Sequence, residues 1–287
     1  MQSGTPSRTA LGAAHHRAAH QLLEQGRIFS DPLAVRILGE DAGEIARRAE
    51  ENPARRRMRI FIAVRTRFAE DALAAAVEKG VRQLVALGAG LDTFAYRSPF
   101  GDRLRIFEVD HPATQAWKRQ LLAAAAIPIP EWLTFVPVDF ERERLEERLT
   151  AAGLDCAQPA FFTWLGVVPY LSEEAVWATL RFIGGLPGGA HAVFDYGDPP
   201  ATLPPEVREF HDELASRVAE AGERLLTWFE PARLREGLLE AGFSEVEDLG
   251  PRQFAARYFP RRAAAMSERG GHVVRASRVA MSRDPAR

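Results

Sequence analysis

The sequence predicts an α/β chain built on a mostly parallel sheet, and three observations carry that expectation. From Val81 onward, short apolar runs alternate with stretches of helical spacing. The first of those runs flows directly into Gly88-Ala89-Gly90, and the next two end on the acidic residues Asp110 and Asp139. The chain then closes on two apolar runs, 244–249 and 273–280, without a clear strand–helix rhythm. Strand–helix alternation with right-handed crossovers makes parallel neighbours. Two terminal strands lacking that rhythm predict an antiparallel pair at one edge.

The elements follow in order. Residues 1–7 read as a loose tail. A helix is expected from Thr9 to Gln25, with Leu11, Ala14, Ala18 and Leu22 on one face and Gly26 at its end. Asp31-Pro32 reads as the N-cap and first turn of a short helix closed by Gly39. Ile60, Val64, Phe68, Ala72 and Val77 mark a longer helix that Gly80 stops. Strands are expected over 81–87, 103–109, 133–138, 160–166 and 191–196. Helices are expected over 112–126, 141–152, 172–183, 205–224 and 231–241. The Pro-rich stretch 198–205 reads as a loop. No repeat or linker stands out, so residues 1–287 are expected to form a single domain, with a helical cap over 1–60 and an α/β core over 61–287.

Composition narrows the function. The 287 residues are 46% hydrophobic, which suits one large α/β domain. The formal charge is −2, from 37 Lys and Arg against 39 Asp and Glu, so a polyanion-binding surface and a nucleic-acid partner are not expected. Arg55-Arg56-Arg57 with Arg59 reads as a solvated helix face. The single cysteine, Cys156, cannot close an intrachain disulfide, which fits a reducing compartment. No leader pattern stands at the N-terminus, and no run approaches the ~18 apolar residues a spanning helix needs. The expectation is a soluble, cytoplasmic protein without a membrane partner. No metal set is expected, and the oligomeric state is not legible.

The chemistry centres on Leu87-Gly88-Ala89-Gly90-Leu91-Asp92-Thr93. A buried strand ending in glycines lets backbone approach a ligand where a Cβ would clash, at the edge of an open α/β sheet where cofactors sit. Asp110, ending the next strand, is placed to accept ribose hydroxyls, while His111 suits the cap of the following helix. Glu108 is expected on the opposite face. Asp139 is placed to accept an adenine amino group, with Phe140 beside the base. A dinucleotide loop carries a third glycine and holds pyrophosphate. Here Thr93 takes that position and Asp92 precedes it, so a carboxylate would repel phosphate. S-adenosylmethionine, which has no phosphate, fits better. Its carboxylate needs a cation, for which Arg65 and Arg67 are both candidates. His15, His16, His20 and His111 are expected to be surface or capping residues. Tyr170 and Asp195 are pocket candidates, and no catalytic residue is assigned.

These residues resemble the S-adenosylmethionine-dependent methyltransferases of the leucine carboxyl methyltransferase superfamily. The resemblance spans nearly the whole chain. It rests on Ser7-Arg8-Thr9-Ala10, Phe29-Ser30-Asp31-Pro32-Leu33-Ala34, Arg65-Thr66-Arg67-Phe68, the Leu87–Thr93 loop, Glu108-Val109-Asp110-His111-Pro112, Val138-Asp139-Phe140, and Trp164 through Tyr170-Leu171. It implies a Rossmann-like class I methyltransferase with a seven-stranded, mostly parallel sheet, an antiparallel edge strand and an N-terminal helical cap. It further implies that Asp110 binds ribose, that Asp139 and Phe140 border adenine, that Arg65 meets the cofactor carboxylate, and that Gly88 and Gly90 flank its methionine portion. One departure stands out. The protein carboxyl methyltransferases of the superfamily carry a Glu where this chain has Leu165, upstream of Tyr170. That favours a small hydroxyl or carboxyl acceptor, in a secondary-metabolic setting, with Leu165 and Tyr170 in its pocket. The alternatives are a protein C-terminal carboxyl methyltransferase, a non-catalytic S-adenosylmethionine-binding protein, and an NAD-dependent oxidoreductase, for which no Tyr-x-x-x-Lys relay is present.

Overall fold

Seven strands form one sheet in the order β3-β2-β1-β4-β5-β7-β6. The strands are β1 (Gln83–Leu87), β2 (Arg105–Asp110), β3 (Leu133–Pro137), β4 (Ala160–Trp164), β5 (Ala190–Gly197), β6 (Glu245–Leu249) and β7 (Gly271–Arg278). The helices are α1 (Arg8–Leu23), α2 (Ala42–Glu50), α3 (Arg56–Glu78), α4 (Phe94–Arg97), α5 (Pro112–Ala124), α6 (Leu145–Ala151), α7 (Glu173–Gly184), α8 (Pro205–Glu220), α9 (Pro231–Glu240) and α10 (Pro251–Tyr258). The structure is a computed structural model and describes residues 7–52, 55–139 and 142–278. Residues 279–280 of the expected last strand lie outside that range.

Strands β1 to β5 run parallel, whereas β7 pairs antiparallel with both β5 and β6. The expected antiparallel pair therefore forms at one edge, with β7 inserted between β5 and the outermost strand β6. The chain winds outward from β1 through β2 to β3, then returns to β4 on the other side of β1. Crossovers on either side of that reversal splay apart and leave a crevice beyond the carboxyl ends of the strands.

Side-chain alternation explains the two core layers. Val85, Leu87, Phe107, Val109, Phe162, Trp164 and Phe194 point to one face, where α7 and α9 bring Val176, Leu180, Leu234 and Leu238. Leu84, Ile106, Phe161, Val193 and Val273 point to the other, where α3 brings Val64, Phe68, Leu73 and Val77. Strands buried on both faces read as continuous apolar runs, which is why the central five were legible.

Differences from expectation cluster outside the sheet. Asp31 caps no α-helix: its Oδ1 accepts from Leu33 N, turning the chain locally, and only a 3-10 turn over Arg36–Leu38 follows before Gly39 at φ 65°. Helix α2, capped by Asp41, and helix α10 were not expected. Both are short, and α10 buries only Phe254 and Ala255. The helix expected over 141–152 is shorter, beginning at Leu145.

Candidate functional site

The carboxyl ends of β1 to β5 open into one cavity of 1620 Å³. Gly88, Gly90, Asp110, Asp139, Leu165 and Tyr170 all line it, as does Arg65 from the adjoining α3. The sequence-predicted residues therefore converge, with one exception. Phe140 lies outside the described residues.

The glycine loop has measurable reasons for its composition. Gly88 sits at φ 62° and Gly90 at φ 47°, backbone that L side chains rarely adopt. A Cβ on Gly88 would lie 2.4 Å from a Val167 methyl, and one on Gly90 would lie 3.1 Å from the Ala10 methyl. The loop is also tied from below. Thr93 Oγ1 donates to buried Asp31 Oδ2 at 2.6 Å, Arg17 donates to the Leu91 carbonyl, and Arg97 pairs with Glu70 while its Nε lies 3.4 Å from Asp31 Oδ1. The segment around Asp31 thus fastens the N-terminal helices to the loop. The half-buried Asp92 of the same loop would be raised by desolvation alone, but Arg17, Arg97 and Lys118 hold its carboxyl below the usual range.

Asp110 accepts from its own loop and turn. Its Oδ2 takes the Gly90 N–H, and its Oδ1 takes the His111 N–H at 2.7 Å. Burial pushes its carboxyl up, and those two N–H donors partly restore it. Each carboxylate oxygen retains a lone pair for a further donor. His111 is the N-cap of α5, its Nδ1 accepting from Ala113 N at 3.2 Å. The expectation for Glu108 fails on elementary grounds. Residues two apart share a strand face, so Glu108 and Asp110 point the same way. Glu108 is taken up by its own partners, buried Lys118 at 2.8 Å and the Tyr96 hydroxyl at 3.1 Å.

Asp139 stands beyond β3. Its backbone N–H donates to Glu143, and its carboxylate lies 3.6 Å from the exposed Arg142 guanidinium.

The two arginine candidates separate clearly. Arg67 is exposed and paired with Asp71 on its own helix. Arg65 is 8% exposed, lines the cavity and donates Nη1 to Asp195 Oδ2 at 2.7 Å. Its buried Nε has no hydrogen-bond partner. The guanidinium lies against Gly166, where an added Cβ would come within 2.7 Å of Nη2. Gly166 N donates in turn to Asp195 Oδ1 at 2.6 Å. Asp195 and Gly166, at the ends of β5 and β4, therefore fix the arginine. Gly166 was not singled out from sequence, although Trp164-Leu165-Gly166 repeats the strand-to-glycine signal of the Gly88 loop.

The far side of the cavity is built by α1, α8 and the segment after α8. Glu223 accepts from both the Ser7 and Thr9 hydroxyls, at 3.2 and 2.9 Å, and Arg8 donates to the Glu220 carbonyl. These contacts join the two walls. The Tyr170 hydroxyl is pushed up to about 12, by burial first and then by the Glu223 charge. His16 also lines the cavity, contrary to its expected surface role, and is pulled down to about 3 by burial and by Arg55, Arg59, Arg217 and Arg65. His20, likewise expected at the surface, is fully buried against Glu24. The expected solvated arginine run divides. Arg55, Arg56 and Arg57 are exposed, whereas Arg59 is buried and bidentate on Glu24.

Beside β5, Asp198 and Asp248 hold His272, with ring nitrogens 3.1 and 2.9 Å from their oxygens. Burial alone would lower this imidazole, but the two carboxylates raise it to about 9. No described helix is long and apolar enough to cross a membrane.

The model of the leucine carboxyl methyltransferase family matches residues 10–184. A Bacillus subtilis protein named "Putative S-adenosyl-L-methionine-dependent methyltransferase YktD" is 29% identical over 93% of this chain and 96% of its own length. A protein from Frankia alni with the same functional name is 38% identical over 62% of this chain and 64% of its own length. Among solved structures, a "putative methyltransferase" from Thermobifida fusca matches over 97% of each chain with a TM-score of 0.53 at 17% identity, a likeness of fold alone.

Proposed function

This chain belongs to the leucine carboxyl methyltransferase family and is an S-adenosyl-L-methionine-dependent methyltransferase, and from that premise we propose that it methylates an oxygen of a small hydroxyl or carboxyl compound. The observation that carries the proposal is the roof of the cavity. Contacts of Ser7, Thr9 and Arg8 with the segment after α8 join two walls above the strand ends, a shape suited to enclosing a small acceptor. The volume, 1620 Å³, exceeds the roughly 300–1,000 Å³ of a typical single-ligand pocket, so donor and acceptor both have room. Leu165, lining the cavity, offers no acidic group for a peptide terminus.

The residues present fit the donor. Gly88 and Gly90 put bare backbone on the cavity wall, and Arg65 carries an orphaned buried Nε. In this reading Asp110 accepts the ribose hydroxyls, Asp139 borders the adenine together with Phe140, and Arg65 receives the carboxylate. When bound, S-adenosyl-L-methionine supplies a sulfonium-activated methyl group. The chain's own contribution is then position. Asp195 and Gly166 hold Arg65 still, and the Asp31–Thr93 contact holds the loop. A carboxylate acceptor needs no general base. His16, with an imidazole near 3, is neutral at physiological pH and poorly suited to take a proton from an alcohol.

The test is methyl transfer from labelled donor to a panel of phenols, small carboxylic acids and peptides with free C-termini, with products separated into alkali-labile esters and stable ethers. Labelled small-molecule ester or ether is expected. Label only on peptide C-termini would overturn the proposal and restore the protein carboxyl methyltransferase reading. Binding of S-adenosylhomocysteine without transfer to any acceptor class would favour the non-catalytic reading.

A further inference from the structure

We propose that the acceptor oxygen is a phenolic hydroxyl and that His211 of α8 is the general base that takes its proton, oriented by Asp212. The inference rests on the small-molecule reading above and narrows it. Among the described residues, His15, His16, His111 and His211 line the cavity. His15 presents both ring nitrogens to acceptors, the Leu11 carbonyl and Glu40, at 3.1 and 2.8 Å. His111 spends its lone pair on the cap of α5. His16, pulled down to about 3, is too weak a base. His211 differs from all three. The indole N–H of Trp228, which can only donate, points at its Nε2 at 3.3 Å, so Nε2 carries the lone pair and Nδ1 the proton. Nδ1 then donates to Asp212 Oδ1 at 3.1 Å. A ring with its lone pair toward the half-buried Trp228 and a carboxylate behind its other nitrogen is a general base with its orienting group.

The fold sets this ring beyond the carboxyl ends of β4 and β5, beside the proposed donor site. Past α8 the chain lies on the segments that end those strands. Leu226 N donates to the Pro169 carbonyl at 2.7 Å, Thr227 Oγ1 to the Leu171 carbonyl, and Phe229 N to the Gly197 carbonyl at 3.1 Å. Trp228, between them, lines the cavity with its indole beside Gly197, where an added Cβ would lie 3.6 Å from Cδ1. Gly197 stands two residues beyond Asp195, the partner of Arg65. Phe210 and Leu214 of α8 line the same cavity, so the surroundings of His211 suit an aromatic body. At 3.3 Å the Trp228 bond is longer than the roughly 2.7–3.2 Å of a firm N–H···O bond, and a phenol O–H can take its place on Nε2. The O–H bond then breaks with its proton going to Nε2. The phenol oxygen forms the new C–O bond as the methyl–sulfur bond breaks, and that electron pair stays on sulfur. Asp212 holds the imidazolium, and its side chain is 67% exposed, so the proton leaves to solvent. A phenol ionises at about 10, as tyrosine does, and is a far better match to an imidazole than an aliphatic alcohol.

The experiment uses the full chain saturated with S-adenosylhomocysteine, titrated calorimetrically with 2-naphthol and with its methyl ether, 2-methoxynaphthalene, which has no proton to give. Wild type, His211→Phe and His211→Gln are compared, with thermal melts showing that each is folded. The naphthol is expected to bind more tightly than the ether by about tenfold, the scale of one hydrogen bond. That advantage should vanish in His211→Phe and survive in part in His211→Gln, whose amide oxygen still accepts. Affinity for S-adenosylhomocysteine should not change. In transfer from labelled donor to 2-naphthol, His211→Gln should lower kcat by about 100-fold or more at a similar KM, because it holds the hydroxyl but cannot take the proton. Asp212→Asn should lower it by about tenfold. Equal binding of the two probes, no binding of either, a preference without methyl transfer, or transfer that survives His211→Gln overturns the inference. The two readings fail separately. Methylation of small carboxylic acids at equal rates in wild type and His211→Gln, with no naphthol preference, removes the base and keeps the small-molecule acceptor. Label on peptide C-termini alone removes the small-molecule reading itself.

Discussion

Helices α3 and α8 line the same cavity from different sides, yet they are held in different ways. Eleven of the 23 residues of α3 are buried, because its apolar positions recur at helical spacing and face a sheet already covered by Leu84, Phe161 and Val193. Of the 16 residues of α8 only Val218 is buried. The α3 side of the cavity is therefore part of the core, whereas the α8 side is a lightly buried wall beside the hydrogen bonds of Glu223.

The strongest way to break that contrast is at the glycine loop. Gly88→Val adds a branched side chain at φ 62° into space held by Val167. A loss of more than about 3 kcal/mol in stability, or failure to fold, is expected from strain and overpacking together. A soluble variant with wild-type affinity for S-adenosylhomocysteine would show that the loop is not the rigid part.

Next in size is Leu73→Ala in α3, where a side chain 1% exposed leaves a cavity. Urea denaturation should report a loss of about 2–5 kcal/mol.

Asp110→Ala should weaken S-adenosylhomocysteine binding by about 100-fold. It removes the proposed ribose acceptor and leaves the Gly90 N–H without its partner. Calorimetry beside circular dichroism measures both consequences, and unchanged affinity would remove Asp110 from the donor site.

The polar network beside β5 gives a pH signature. His272 is raised from 6.5 to about 9, so its contribution is complete below pH 6.5 and is lost as pH rises through 9. The amplitude is up to about 3 kcal/mol. The difference in urea midpoint between wild type and His272→Gln should shrink from pH 6 to pH 10. A constant difference would mean that the imidazole carries no extra proton in the fold.

The smallest effect belongs to the acceptor wall. Leu214→Ala in α8 should cost under about 1 kcal/mol, since that side chain is only half-buried. A loss equal to that of Leu73→Ala would erase the distinction between the two helices.

Reading this chain from its residues succeeded where physics is local. The central strands are apolar runs bounded by glycine or acid, and their carboxyl ends carry Gly88, Gly90, Asp110 and Asp139, so position along the chain gave position at the cavity edge. It faltered where an interaction partner lay far away in sequence. Asp31 looked like a helix cap because Pro32 follows it, but its second oxygen is claimed by Thr93, 62 residues on. His20 looked exposed because its near neighbour Glu24 is drawn inward by Arg59, 35 residues on from Glu24. Glu108 was misplaced by an error of alternation, which strand geometry corrects.

The sequence by itself determined the α/β class, the mostly parallel sheet with an antiparallel edge, and the family, because hydrophobic periodicity and glycine backbone freedom act over a few residues. Only the tertiary structure decided that Arg65 and not Arg67 enters the cavity and that Asp195 and Gly166 hold it. The Arg65–Asp195 pair joins residues 130 apart in sequence, and burial, which sets its strength, exists only once the chain has folded.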